Sequence, residues 1–294
     1  MLAGYLLVVV APMVGTFGFD AYAYWAVDPR APYPADIPLG NLGYFAYSPA
    51  FAQLVSPFGG LPWWVFSFLM AALLFGTLVW LGGRWALAWL CFVPVVIELY
   101  HGNIHLLLAA AIVLGFRHSW TWAFVLLTKV TPGIGLAWFA VRREWRSLAI
   151  ALGATAVIVA VSWLIDPGAW SQWFSMLARG TSNSADCGAH CLAIPLLPRL
   201  VVALAIVILG ARAGQRWTVP LAAMLALPVL WLAGLSMMVA VVALAVRDRA
   251  VARMPAPLSG DTIEPPLSAP VDRSPEPFAG TDRIRSAEPS TAPA

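Results

Sequence analysis

The chain has 294 residues, of which 61% are hydrophobic and only 11% charged, with a formal net charge of +3 at pH 7. Mean hydropathy is +0.81. Such values exclude a soluble domain and leave an all-α polytopic membrane protein, and arginines placed singly at the ends of apolar runs argue for topology rather than a nucleic-acid face.

Apolar runs follow one another from Leu2 to Phe17, Pro62 to Leu81, Trp85 to Ile97, Ile104 to Phe116, Trp120 to Val141, Leu148 to Ile165, Leu196 to Leu209 and Trp217 to Val246. The first has no positive flank of the kind a signal peptide carries, so it reads as a retained helix. Asp20 stands directly after it within Phe17-Gly-Phe-Asp20-Ala-Tyr-Ala-Tyr-Trp25. A carboxylate there is either a solvated helix-end residue or, among aromatics, a base able to take a proton from a hydroxyl. Tyr22, Tyr24 and Trp25 would then form an amphipathic wall for a sugar or a lipid headgroup. The next stretch, Gly43 to Leu54, has the aromatic, amphipathic pattern of a short helix lying in the membrane interface.

Glu98-Leu-Tyr-His-Gly-Asn-Ile-His105 falls at a junction between two runs. Glu98, His101 and His105 would share a helical face if the helix were continuous, but Gly102 breaks it. The residues therefore read as hydrogen-bonding groups lining a polar pocket, with no metal site committed. Lys129 is the only lysine in the chain and sits in the apolar stretch Phe124 to Leu136 together with Thr128 and Thr131. A charge inside a bilayer costs several kcal/mol unless it is met by water, an anion or a carboxylate, and Pro132 breaks the helix just beyond it.

The arginines set the topology. Arg84, Arg117, Arg142, Arg143, Arg146, Arg212, Arg216, Arg247, Arg249 and Arg253 are expected on the cytoplasmic side. Arg117 and Arg142 can share a side only if Trp120 to Val141 turns back within the membrane, with Lys129 and Pro132 at its tip. Trp217 to Val246 reads as a second hairpin turning near Trp231 to Gly234. The expectation is a bundle of roughly eight to ten transmembrane or re-entrant helices over residues 1–246, with an extracytoplasmic loop that bears an interfacial helix. Residues 247–294, rich in Pro, Ser and charge, are expected to be a disordered cytoplasmic tail. Cys187 and Cys191 share an extracytoplasmic loop, where a disulfide fits and a zinc site with His190 lacks ligands. Cys91 reads as an apolar filler.

Asp20 after the first helix, Tyr44-Phe-Ala-Tyr-Ser-Pro49, His101-Gly-Asn-Ile-His-Leu-Leu-Leu108 and Leu127-Thr-Lys-Val-Thr-Pro132, followed by Arg142-Arg-Glu-Trp-Arg146, together resemble glycosyltransferase family 87. The likeness covers roughly residues 15 to 245 and rests on the order and spacing of the motifs. It implies a GT-C-like membrane bundle that moves a sugar from a polyprenyl-phosphate donor to a lipid or glycolipid acceptor. The active face would be extracytoplasmic on the plasma (inner) membrane, with no cofactor, metal or nucleic acid. The family's characterised branch points to mannose. By this resemblance Asp20 is the general base of an inverting displacement, and Lys129, His101 and His105 hold the donor phosphate. Tyr22, Tyr24, Tyr47, Asn103 and Thr131 contact substrate. Family members often carry a histidine in a late helix, where this chain reads Pro228-Val-Leu-Trp-Leu-Ala-Gly-Leu-Ser-Met237. A non-catalytic homologue and a lipid or solute transporter are the alternatives, the latter expecting an internal repeat.

Overall fold

The computed structural model describes residues 16–34, 37, 41–180, 191–192 and 194–252. The expected first helix, apart from its last residues, the Cys187 and His190 loop, and the tail from residue 253 lie outside them. Among the described residues the fold is almost wholly helical: α1 Phe19–Trp25, α2 Pro49–Val55, α3 Trp63–Gly82, α4 Val93–His101, α5 His105–Gly115, α6 Trp122–Thr128, α7 Ala137–Val141, α8 Trp145–Ile165, α9 Pro167–Gly180, α10 Leu196–Arg212, α11 Thr218–Leu225 and α12 Met238–Ala252. One antiparallel bridge joins β1 Cys191–Leu192 to β2 Leu230–Trp231. Helix α12 continues through Arg247 to Ala252, past the boundary expected for the tail.

Among the described residues, two helices, Trp63–Trp85 and Trp145–Ile165, are long and apolar enough to cross a membrane, or up to three spans if the bent pair α4 and α5 counts as one. Among the described residues, the runs from Trp85 to Ile97, Trp120 to Val141 and Trp217 to Val246 are cut into arms too short to span alone, whereas α10 is one unbroken helix of 17 residues, and the cuts have local causes. The run from Trp85 to Ile97 is not one helix. It passes through two 3₁₀ turns, Gly83–Trp85 and Ala88–Cys91, and restarts at Val93 with Pro94 in the first turn, where a missing N–H costs nothing. Helices α4 and α5 meet at an angle of 106°. Gly102 makes that corner, with φ 68° and a backbone pressed so close to Ala21 that a Cβ would clash with it.

The Trp120 to Val141 run folds as the arginine flanks require. α6 stops at Thr128, whose hydroxyl donates to the Phe124 carbonyl at 2.6 Å. Lys129 is extended (φ −141°, ψ 107°), and a 3₁₀ turn over Thr131–Leu136 leads into α7. The arms lie antiparallel: Leu126 packs on Gly133, and Trp122 on Gly135 and Phe139. At the open end Phe116 sets its ring against Trp138 and Phe139, bringing the Arg117 and Arg142 ends together.

The second hairpin closes in the same way. Arg216 holds Asp248 through its backbone N–H and its guanidinium, the latter at 2.7 Å. Leu227 faces Gly234, which puts the turn a few residues before the expected Trp231 to Gly234. Its tip is tied by Arg199, 6% exposed, whose guanidinium donates to the carbonyls of Ile194, Leu225, Leu227 and Pro228. The last three are orphan carbonyls at and just beyond the end of α11. Arg142 also donates to the Ala211 carbonyl, so α10 ends beside the first hairpin's base.

The stretch expected to lie in the interface packs against the bundle. α2 buries Ala50, Phe51 and Ala52, and Gln53 donates from its side chain to the Ser162 carbonyl of α8. The helix above it is α9, which buries Trp170, Trp173 and Met176 while leaving Phe174 and Leu177 exposed. Its Trp173 indole donates to the Ala46 carbonyl at 3.4 Å. Cys191 is disulfide-bonded, and Cys91 is free and exposed.

The hairpin geometry makes a direct prediction. In a Cys91→Ala background, Val130→Cys, at a position 54% exposed, should react with a membrane-impermeant maleimide from one side only. Arg117→Cys and Arg146→Cys should react only from the other. Labelling of Arg117→Cys and Arg146→Cys from opposite sides would show that the segment does not turn back.

Candidate active site

The site is built where three chain reversals meet at the end of the bundle away from Arg117, Arg142 and Arg216. The first is the start of α1. Gly18 donates its N–H to the Tyr100 carbonyl at 2.9 Å, which docks α1 onto the α4 corner. Asp20 and Tyr24, one turn apart on α1, face inward together, whereas Tyr22 points the other way and packs on Trp25 and Trp63. Tyr22 therefore does not line the site with Asp20.

The second reversal is the α4 to α5 corner. His101 Nδ1 lies 4.0 Å from Asp20 Oδ2, and its Nε2 lies 3.2 Å from the Thr16 hydroxyl. The Asn103 side chain is near enough to Asp20 to favour its carboxylate form. Behind it Glu98 and His105 are both 0% exposed and joined Oε2 to Nδ1 at 2.9 Å. The other Glu98 oxygen accepts from the Leu106 N–H at 3.0 Å, a carboxylate at the N-terminus of α5. The Nε2 of His105 has no partner. A fully buried imidazole cannot touch a phosphate in this arrangement, so His105 belongs to an inner layer rather than to the donor-contacting set. Asn103, 4% exposed, is likewise behind the carboxylate rather than open to substrate.

The third reversal is the tip of the first hairpin. Lys129 Nζ stands 5.4 Å from the centroid of the Tyr47 ring, and is within electrostatic reach of Asp20 and Glu98. Tyr47 is anchored from three directions. Its hydroxyl pairs with that of Tyr24 at 2.9 Å, its carbonyl accepts from the Tyr33 hydroxyl at 2.7 Å, and the next N–H, of Ser48, reaches the Leu127 carbonyl at 3.3 Å. Tyr24 and Tyr47 are 2% and 8% exposed. They are a platform under the ammonium, worth about 1–2 kcal/mol as a desolvated cation–π pair, rather than an open substrate wall. Thr131 opens the 3₁₀ turn, and its buried hydroxyl has no partner.

Seven of the nine expected site residues thus gather: Asp20, His101, Asn103, His105, Lys129, Tyr24 and Tyr47. Tyr22 packs elsewhere, and nothing ties Thr131 to the cluster. Two residues of consequence were not foreseen in their present roles. Glu98 is the hub of the corner, legible only in its spacing from His105. Arg199 is an arginine that the cytoplasmic flanks leave unassigned. A cavity of about 200 Å³ lies between α2 and α8, lined by Ala50, Gln53, Val157, Ile158, Val161 and Ser162. It is apolar and holds none of these ionisable groups.

Asp20 is surrounded by protein yet keeps 27% of its side chain exposed. Burial pushes its pKa from 3.8 to about 6, against the lowering by Asn103, His105 and Lys129, and Glu98 adds to the rise. The arrangement can hold a proton taken from a hydroxyl near neutral pH, beside an ammonium able to meet an anion. Because the folded pKa is raised, ionised Asp20 destabilises the fold above about pH 6, and the penalty fades as pH falls towards 3.8. Asp20→Asn should therefore melt higher than the wild type at pH 7.5, by on the order of 1–3 kcal/mol, and the gap should close below pH 5. Tryptophan-fluorescence melts in detergent at the two pH values check this. Equal gaps at both would mean that the carboxylate is freely solvated.

Comparison with curated proteins and with solved structures finds no match. The family model described as Glycosyltransferase family 87 matches residues 45–259, well over half of the chain. The matched region contains Tyr47, Glu98, His101, Asn103, His105 and Lys129 and starts after Asp20. A membrane protein with this match is an enzyme that transfers sugar, and the chain belongs to glycosyltransferase family 87.

Proposed function

We propose that this glycosyltransferase moves a sugar, mannose in the first instance, from a polyprenyl-phosphate donor to a lipid or glycan acceptor. The observation that carries the reading is the pairing, at one end of the bundle, of a partly open carboxylate with the chain's single lysine. A base for the acceptor and a cation for the leaving group are what a one-step displacement needs. The acceptor oxygen attacks the anomeric carbon as its proton passes to Asp20. The bond from that carbon to the phosphate oxygen breaks on the opposite side, its electron pair leaving with the polyprenyl phosphate, so the configuration inverts.

Lys129 meets the charge that develops on the phosphate, with His101 beside it. Tyr47 and Tyr24 hold the ammonium in position from behind. The apolar cavity between α2 and α8 begins one helix away from Tyr47 and suits a lipid chain on either substrate. The reading also takes the arginine ends of the hairpins as cytoplasmic and the Asp20 end as extracytoplasmic, at the plasma membrane.

The test is transfer by purified protein in nanodiscs, supplied with radiolabelled polyprenyl-phosphate mannose and envelope lipids. Asp20→Asn should lose at least about 100-fold in turnover while remaining folded. Wild-type turnover should rise as pH passes about 6, where Asp20 ionises. Lys129→Met should lose donor affinity or turnover more than stability. Undiminished transfer by Asp20→Asn would remove it as the base, and a Lys129→Met variant that merely unfolds would make the lysine structural.

A further inference from the structure

α8 reaches the Lys129 end of the bundle with most of its apolar surface uncovered by protein. Its last turn leaves Trp163, Leu164 and Ile165 exposed, Leu164 to 82%. Asp166 is then extended, and its carboxylate accepts the Ala169 N–H at 3.0 Å, capping the start of α9 at Pro167. The Trp170 indole donates to the Ser162 hydroxyl at 3.1 Å, and its ring lies 6.2 Å from that of Trp163. α9 therefore folds back across the end of α8 instead of prolonging it. Farther along, Trp173 donates to the Ala46 carbonyl beside Tyr47, so α9 runs from the end of a span to the segment under Lys129. Its side chains fall into three groups. Ala169, Trp170, Trp173 and Met176 are buried against the bundle. Ser171, Gln172 and Ser175 are exposed, both serine hydroxyls donating to carbonyls of their own helix. Phe174 and Leu177, three residues apart, stay exposed along one edge of the buried face.

α8 has 21 residues, which at a helical rise make about 30 Å, the thickness of the hydrocarbon core. The level of Ile165 is thus where lipid tails give way to headgroups. A helix that begins two residues later and lies across that end starts at the boundary. The medium against its apolar edge is the one that covers Leu164 and Ile165. We propose that α9 is seated in the bilayer boundary at the Lys129 end, with Phe174 and Leu177 among the acyl chains of that leaflet and Ser171, Gln172 and Ser175 toward water. Through Trp173 and Ala46 this seat sets the depth of the Tyr47 segment. Lys129, its Nζ 5.4 Å from the Tyr47 ring, is thereby held at the level of lipid phosphates. The use of that depth, to meet a lipid-linked phosphate, rests on the proposed transfer. The seat itself does not.

The experiment spin-labels Gln172→Cys, Phe174→Cys, Ser175→Cys and Leu177→Cys, each in a Cys91→Ala background, in nanodiscs of phosphatidylcholine and phosphatidylglycerol. All four positions are exposed, so the substitutions leave the packing of α9 intact. Collisions with oxygen, which partitions into acyl chains, are compared with collisions with a water-soluble nickel chelate. Labels at Phe174→Cys and Leu177→Cys should favour oxygen and report a depth of about 5–10 Å below the headgroup boundary. Those at Gln172→Cys and Ser175→Cys should favour nickel. A preference for nickel at all four would place α9 in water and overturn the seat. Poor access of both reagents to the Phe174→Cys and Leu177→Cys labels would overturn it too, by showing protein, a second copy or another partner, over that edge. A label at Val130→Cys, next to Lys129, should lie within about 7 Å of the same boundary. A reading from bulk water or the middle of the bilayer would overturn the depth assigned to Lys129. None of these readings needs sugar transfer, so an inactive protein with its labelled edge in lipid would sink the proposed reaction and not the seat.

Discussion

One ammonium group in an apolar bundle organises this end of the molecule. Lys129 cannot be left facing hydrocarbon, since an unmet charge there costs several kcal/mol. It is met by the face of Tyr47 and by the fields of Asp20 and Glu98, groups that come from three distant parts of the chain. To bring them there, α1 must dock on the α4 corner, the chain must turn sharply at Gly102, and the α6 to α7 segment must stop short and reverse. Each of these reversals exposes backbone polar groups that would be intolerable in lipid, and each is lined by protein instead.

The same logic explains how polar and apolar groups are distributed along the bundle. Arg142 ties the base of the first hairpin to α10 through the Ala211 carbonyl, and Arg216 closes the second hairpin on Asp248. The tips point the other way, with Lys129 at the first of them. Arg199 is the exception that fits the rule: it lies at the tip end because it satisfies three carbonyls of the second hairpin's turn and that of Ile194, not because it marks topology. That turn brings Gly234 against His105, where no side chain intervenes.

Function is layered in the same way. In the proposed reaction Asp20 and Lys129 are the groups that meet reacting atoms, and both are partly exposed. Tyr47 and Tyr24 lie behind Lys129 and are buried, as is Asn103. Glu98 and His105 form a third layer with no exposure at all. The residues most prominent as motifs in the sequence are therefore spread over three depths, and their exposure, rather than their presence in a motif, separates contact from support.

Composition and arginine placement determined the membrane class, the two hairpins, and Lys129 at a hairpin tip, because flanking charge and a helix-breaking proline act locally or along a single segment. The family was legible in the order of its short motifs. Helix number was not, because Pro94, Gly102 and the backbone at Lys129 convert apolar runs of near-spanning length into short arms. Nor did periodicity show that Tyr22 faces away from Asp20, that His105 turns back onto Glu98, or that Tyr24 and Tyr47 are buried. Side-chain direction follows helical phase only as far as the next break, and the site is assembled across three breaks. What lies within reach of Asp20 was decided by packing between segments, which only the tertiary structure fixes.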